Sequence, residues 1–408
     1  MQENKTYIEL VKFSLFLNSF ILLFPNKFKI YPIILLFLFS LILYNKTQEK
    51  STFCFKKFII LSGLIFLYLI SYFYSFKTEY AFQKLSTMSS LIAYPLIFGI
   101  LECSNFIFSR KDFRTIFLCF ITSTCIFCVF SFLYFWNQIF TFSQTIIHYS
   151  NLINIGLENL SIHPIYLSVY VGISLLMLLY LFNNTDRFYI KMLNLFVSLF
   201  LIIILMILMR KGPIIYLLIC LFFLVKKYLK IKKSIVVVFT VFLLMYFSLK
   251  IIPKYQDENR FNDLTNNSLN EKPKSSTAIR YRIYNCSFEK ISENPFLGYG
   301  VGNVQNALES CYKSKNLELT NKNYNSHNQF LSITLTIGII GLIIYLFSVY
   351  KIYTILKTNR TEIGISILIF FLLNFLTENL IERENGMLIY SFLISLFVYQ
   401  KDESYTFL

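Results

Sequence analysis

Three histidines occur in this chain of 408 residues, and His327 lies where a polar segment meets an apolar one. Imidazole is the side chain that titrates near neutral pH, so a histidine at such a boundary can act as a general base. A histidine that only caps a helix or forms a hydrogen bond would suit the same position. His327 is therefore a candidate base, and its residue type leaves both roles open.

Two arginine positions could bind an anion beside such a base. Arg210 ends an apolar run, where a guanidinium is costly unless it is paired, although a side chain that reaches the membrane surface would also explain it. Arg280 lies in the polar segment, and its planar fork matches phosphate oxygens. Arg282 is an alternative to Arg280, and either residue could simply be an exposed arginine.

Other residues near the two boundaries are candidates for substrate contact. His163 precedes a proline at the start of an apolar run, where it could bind a substrate or only form a hydrogen bond at a helix start. Asn328 directly follows the candidate base. Three glycines at alternate positions could let substrate approach the backbone or could form a plain turn: Gly298, Gly300 and Gly302.

Acidic residues and metal ligands contribute less to the expected chemistry. Glu378 and Glu382 border the last external turn, where we expect them to balance an arginine rather than to catalyse. Histidine and cysteine do not cluster at metal-ligand spacing, so neither a metal site nor another cofactor is expected.

Cysteines divide into two groups by location. Cys286 and Cys311 are the only two of the eight in the long polar segment, and we expect them to form a disulfide in an oxidising compartment, with two unrelated thiols as the alternative. The other six lie in or beside apolar runs, where cysteine acts as a small hydrophobic residue.

These residues must be positioned by helices that cross a membrane. Hydrophobic residues make up 56% of the chain and charged residues 15%, whereas soluble domains carry roughly 25% charge. A spanning helix needs about 20 apolar residues. The sequence predicts an all-α polytopic membrane protein with about 12 spans, or ten to twelve because several are short: Leu10–Phe24, Ile30–Tyr44, Phe58–Ser75, Ser86–Leu101, Thr115–Trp136, Pro164–Phe182, Phe188–Met209, Gly212–Leu229, Ser234–Ile252, Asn328–Leu356, Glu362–Leu380 and Gly386–Gln400.

Charge predicts the orientation of these spans. Alternate loops hold 17 Lys and Arg on one side and 7 in the short loops on the other, which favours cytoplasmic N- and C-termini. The net charge of +16 lies mostly beside helix ends, where anionic membrane lipid explains it, so no nucleic-acid partner is expected.

One long polar loop, Pro253–His327, separates the ninth and tenth spans within a single integral membrane domain, residues 1–408. The loop has a linker-like composition through about Ser276. From Ile279 onward, near-helical spacing predicts an ordered segment, and the residues that set this spacing are Ile279, Ile283, Cys286, Phe288 and Ile291. With the termini cytoplasmic, this loop would be periplasmic.

Five stretches in order carry a family resemblance: HPIYLSVY from His163, LMRKGPI around Arg210, Arg280 four residues before Tyr284, ENPFLGYGVGN, and SHNQFLSITLTIGIIGL around His327. Together they resemble the bacterial O-antigen ligase and O-antigen polymerase family, with motifs over about His163–Leu342. Tyr284 departs from the family, which often has tryptophan at this position.

The resemblance implies a GT-C-like glycosyltransferase of the cell inner membrane. It would move a polysaccharide from an undecaprenyl-diphosphate carrier to a hydroxyl of lipid A core or of a growing glycan at the periplasmic face. His327 would be the base, Arg210 and Arg280 would hold the diphosphate, and the anomeric centre would invert.

Other functions share these features. An O-antigen or capsular polysaccharide polymerase and a protein O-oligosaccharyltransferase use the same donor chemistry with a different acceptor. A lipid-linked glycan flippase or other transporter is also basic and has many spans, but it needs charged residues within its spans, and these spans are nearly free of charge.

Overall fold

The computed structural model describes residues 2–76, 78–139, 142–228, 276–315, 319–320 and 323–400. The regular structure within these ranges is helical. Two predicted features, the ninth span Ser234–Ile252 and the first part of the polar loop, lie outside the described residues.

Fifteen α-helices of at least ten residues occur in the described ranges. They are α1 Gln2–Ser19, α2 Ile30–Lys46, α3 Phe55–Tyr72, α4 Thr78–Thr87, α5 Ser90–Cys103, α6 Arg110–Ile139, α7 Phe142–Ile155, α8 Pro164–Asn183, α9 Phe188–Leu208, α10 Lys211–Tyr228, α11 Ser276–Glu293, α12 Val304–Ser314, α13 Gln329–Thr358, α14 Glu362–Phe375 and α15 Glu384–Val398.

Seven segments of the described chain are long and apolar enough to cross a membrane. They are Asn26–Lys46, Phe55–Tyr72, Thr78–Cys103, Arg110–Asn137, Pro164–Asn183, Phe188–Leu208 and Gln329–Thr358, and three shorter apolar helices accompany them, Lys211–Leu224, Glu362–Phe375 and Glu384–Val398. A chain with this many apolar helices is a polytopic membrane protein.

Burial separates central from peripheral helices. Most of α8 is buried, including Leu167, Val171 and Leu176 with no exposed surface. By contrast, α9 leaves Phe196 71% exposed and Ile203 55% exposed. Because lipid is as apolar as these side chains, such a surface is expected at the outside of a membrane bundle.

Several helical regions depart from the sequence prediction, among them α7 and α1. The predicted spans leave residues 137–163 as a connecting loop, but α7 forms there because Tyr149 and Ile153 bury one face of an amphipathic helix while Ile155 stays exposed. The predicted first span is also displaced, since α1 begins at Gln2 and ends at Ser19.

Helix α13 is kinked, and the turn that precedes α12 forms backbone hydrogen bonds with it at the kink. Gly338 has a φ of 69° and breaks the helix. The freed backbone then bonds the incoming turn: Tyr299 N donates to Leu335 O at 2.8 Å and Gly300 N donates to Thr336 O at 2.9 Å. This turn therefore fixes the polar segment onto the helix that follows His327.

Candidate functional site

A cavity of about 620 Å³ lies at the end of the bundle where α8, α13 and α15 begin and α14 ends. Because five separate stretches of chain contribute to it, helix packing forms this cavity rather than any local motif. It is lined by Thr87, Asn154, His163, Tyr166, Asn323, Tyr324, Asn325, His327, Glu378, Glu382, Arg383, Glu384 and Asn385.

His327 lies in this cavity, paired with an acid. Its Nδ1 is 3.4 Å from Oε2 of Glu378, and the imidazole is 25% exposed while the carboxylate is 8% exposed. Backbone geometry holds the histidine in place, because its φ is 45° and its N–H donates to Asn325 Oδ1 at 3.1 Å. A carboxylate partner on Nδ1 leaves Nε2 as the basic nitrogen.

Glu378 remains ionised despite its burial. Burial raises the pKa of this carboxyl, but the hydrogen bond and charge of His327 lower it, and the charges of His163 and Arg280 lower it further. The net pKa lies below the usual value of 4.5. We had expected Glu378 to balance an arginine by a salt bridge, whereas its direct partner is a histidine.

His163 also lines the cavity, and it caps α8. Its Nδ1 accepts from Ile165 N at 3.4 Å, which is the helix-start hydrogen bond considered from the sequence. Burial lowers the pKa of His163 to about 4, and the charge of Arg210 adds to the decrease. The imidazole is therefore neutral at physiological pH.

Arg210 lies in the tight turn between α9 and α10. Met209 has a left-handed φ of 56°, which ends α9 and directs the chain back. Nη2 of Arg210 donates to Ser150 Oγ of α7 at 3.1 Å. Arg210 does not line the cavity itself, but its charge contributes to lowering the pKa of His163.

Helix geometry separates the two arginines of α11. Tyr284 faces the site, because its hydroxyl donates to His327 O and to Leu376 O, each at 3.2 Å. Arg280 lies four residues earlier on the same face, and its charge acts on both Tyr284 and Glu378. Arg282 is two residues further on, which places it on the opposite side of the helix.

The structure joins Cys286 and Cys311 as a disulfide, with their Cα atoms 5.8 Å apart. It links α11 to α12 within a small core that includes Ile283, Leu308 and Leu335 of α13. The prediction that Phe288 belongs to the apolar face of α11 was wrong. Phe288 lies on the outer side of the helix and is 60% exposed.

The remaining predicted contacts have structural partners. Asn328 caps α13, since its Oδ1 accepts from Phe330 N at 2.9 Å and from Leu331 N at 3.1 Å. The glycine turn packs against helices rather than lining the cavity: a side chain on Gly298 would meet Leu335 O, and Gly302 N donates to Ser75 Oγ at 3.0 Å.

A buried polar network that the sequence did not reveal supports the cavity. Lys84 Nζ lies 3.0 Å from Glu382 Oε2, and Ser332 and Gln329 also donate to this carboxylate. Burial raises the pKa of Glu382, but the charge of Lys84, together with the hydrogen bonds from Ser332, Lys84 and Asn379, lowers it by more. The sequence prediction places Lys84 in an external loop. The amphipathic pattern of α4 was the only sequence feature that could have indicated that Lys84 is buried.

The site thus belongs to a helical membrane protein that holds a histidine, a carboxylate and arginines at one end of its bundle. Residues 195–346 match a family described as O-antigen ligase, a stretch that includes Arg210, Arg280 and His327. This match confirms the predicted family resemblance.

A curated relative supports the same resemblance. A Rickettsia felis protein named "Putative polysaccharide ligase" is 38% identical over 97 residues, which make up 22% of this chain and 22% of the relative. The match thus spans about a fifth of that protein's length.

Proposed function

We propose that this protein is an inverting glycosyltransferase of O-antigen ligase type. It would transfer a polysaccharide from an undecaprenyl-diphosphate carrier to a hydroxyl of lipid A core. The observation that carries the proposal is the His327–Glu378 pair in a cavity at one end of an apolar bundle. The family match over residues 195–346, which include His327 but not Glu378, supports it.

The proton moves to His327 in the proposed reaction. The acceptor hydroxyl gives its proton to Nε2 of His327, and its oxygen forms a bond to the anomeric carbon. The bond from that carbon to the diphosphate breaks, and the diphosphate leaves with the electron pair. Glu378 stabilises the imidazolium that forms, because its carboxylate contacts Nδ1.

The arginines stabilise the leaving diphosphate. The charge of Arg210 acts on His163 and the charge of Arg280 acts on Glu378, so both cations influence residues of the cavity, although neither lines it. A guanidinium binds two phosphate oxygens at once, which suits a departing diphosphate. We assign this role to Arg280 rather than Arg282, because Arg280 shares the helix face of Tyr284.

An apolar groove next to the cavity supports the proposal that the substrate is linked to a lipid. It has a volume of about 510 Å³ and contains Ile33, Phe37 and Leu96. It shares Thr87 and Glu384 with the cavity, so a lipid chain in the groove would place its polar end beside the cavity.

The proposed setting is the inner membrane, with about 12 spans, cytoplasmic termini and the cavity facing the periplasm. The 17-to-7 distribution of basic residues supports this orientation. Helix direction supports it as well, because α6 and α9 both begin among basic residues, and α9 packs against α8 and runs back toward the end of the bundle where α8 begins.

A clean deletion tests the proposed acceptor. Surface polysaccharide from the deletion strain, separated on a gel, should lack long chains on lipid A core, and full-length chains should accumulate on the carrier lipid. Lipid A core that carries a single repeat unit in place of long chains would instead indicate a polymerase and contradict the proposal.

A further inference from the structure

A second cavity lies between the start of α6, the end of α8 and the start of α9. Because α8 begins at the His327 cavity and ends here, about 30 Å separates the two. The second cavity has a volume of about 310 Å³ and is lined by Arg110, Lys111, Phe113, Arg114, Leu118, Tyr180, Leu181, Asn184, Thr185, Ile190 and Asn194.

Positive charge dominates the mouth of this cavity. Arg110, Lys111 and Arg114 lie within the first two turns of α6. The carboxylate among them, Asp112, is engaged elsewhere, because its Oδ1 is 3.1 Å from Lys12 Nζ and its Oδ2 accepts from Ser109 at 2.7 Å. The mouth therefore attracts an anion.

Apolar side chains also line the cavity, and they could pack against the first segments of a lipid acyl chain. Leu118, two turns beyond Arg110 on α6, lines the cavity together with Leu181 and Ile190. A cavity with a cationic mouth and an apolar interior is complementary to a lipid with an anionic headgroup, and basic pockets between membrane helices bind such headgroups.

A buried amide adds a second, independent observation. Asn194 of α9 is 6% exposed, and within the described residues its Nδ2 has no hydrogen-bond partner. An unpaired buried amide is costly, so native proteins usually pair such groups. An ester or phosphate oxygen of a bound lipid would accept this hydrogen bond.

We propose that this cavity binds one anionic phospholipid, of the phosphatidylglycerol class. Its phosphate lies at Lys111 and Arg114, its glycerol region at Asn194, and its first acyl segments against Leu118 and Ile190. A zwitterionic lipid binds less well because its ammonium would face the same cations.

Native mass spectrometry of the full-length protein in detergent tests this proposal with two lipids, phosphatidylglycerol and phosphatidylcholine. We expect one phosphatidylglycerol to be retained at about tenfold lower lipid concentration than phosphatidylcholine, with the preference lost at high salt because screening weakens it. Equal retention of the two lipids, or a preference that salt does not change, would overturn the proposal.

Charge-removing variants locate the site. The double variant Lys111→Gln, Arg114→Gln should lose the tenfold preference. The matched control Lys351→Gln, Lys357→Gln removes two charges from α13, outside this cavity, and should keep it. An unchanged preference in the first variant, or an equal loss in the control, would place the lipid elsewhere.

Thermal unfolding with inorganic phosphate separates a lipid site from a site for soluble anions. Phosphatidylglycerol should raise the Tm of the wild-type protein, whereas phosphate at millimolar concentration should not. In Asn194→Leu the lipid-dependent rise should be about half as large, although the lipid-free Tm should not fall. An equal rise with phosphate, or a full lipid-dependent rise in Asn194→Leu, would contradict the assignment.

Discussion

The imidazole Nδ1 of His327 lies 3.4 Å from Oε2 of Glu378, although 51 residues separate the two in the chain. His327 stands just before α13 and Glu378 just after α14, so these two packed helices bring the base and the acid together. The acid fixes which imidazole nitrogen can take a proton.

Replacing this acid should lower transfer without unfolding the protein. In Glu378→Gln an amide replaces the charge that stabilises the imidazolium, so we expect the transfer rate to fall roughly 10²-fold, within the range of acid–base contributions. The measurement is transfer of carrier-linked glycan by purified protein. Glu289→Gln is the control: it removes the ion pair between Glu289 of α11 and Lys315, and its transfer rate should stay near that of the wild type.

The same variant should change the response to acid. The folded pKa of Glu378 is below its ordinary value of 4.5, so its stabilising contribution is full above pH 4.5 and is lost as the pH falls through the folded value. Glu378→Gln should therefore lose less stability on acidification than the wild type. An equal loss in both proteins would contradict the pairing.

His163 should make the protein more stable as the pH rises from about 4 to 6.5. Its folded pKa is about 4 against an ordinary value of 6.5, so the unfolded chain binds more protons in this window. The difference corresponds to at most about 3 kcal/mol. Tm measured across this window should vary less in His163→Asn, which keeps a helix-capping acceptor.

The control for that experiment is His148→Asn, because His148 is exposed on α7. Its Tm should follow the wild-type pH dependence. A His163→Asn profile that matches the wild type at every pH would show that the buried imidazole does not titrate as described.

The two arginines of α11 should differ in their effect on catalysis. Arg280→Lys keeps the charge but removes the bidentate fork, so the transfer rate should fall at least about tenfold. Arg282→Lys is the matched control on the other side of the helix and should stay near the wild-type rate. A larger loss in Arg282→Lys would reverse the assignment.

The disulfide should hold the helix that carries Arg280. A loop of 25 residues closed by a disulfide contributes roughly 3–4 kcal/mol. The double variant Cys286→Ser, Cys311→Ser should therefore lower the Tm. In denatured, unreduced wild-type protein these two thiols should escape alkylation, and modification of both before reduction would show that the bond is absent.

The sequence predicted the features that depend on local composition. Apolar runs located α8, α9 and α13 within a few residues, because an apolar segment of sufficient length predicts a membrane helix by itself. Near-helical spacing likewise predicted α11. The sequence pattern did not reveal α7, because the amphipathic pattern of this helix is short and lies in a segment without basic residues.

The contacts within the site could not be read from the sequence. The sequence predicts that Glu378 meets an arginine and places Lys84 in a loop. The structure instead pairs Glu378 with His327 and Lys84 with Glu382. Both pairs join distant stretches of chain, so the relative rotation of packed helices decides them. The preference for Arg280 over Arg282 likewise required the orientation of Tyr284.

The most direct test is the rate of transfer by His327→Ala, measured with purified carrier-linked glycan and acceptor in detergent. Loss of a general base costs about 10²–10⁴-fold, so we predict a decrease of this size with donor binding and Tm unchanged, while the control His148→Ala remains active. A near-normal rate for His327→Ala would contradict the assignment of His327 as the base.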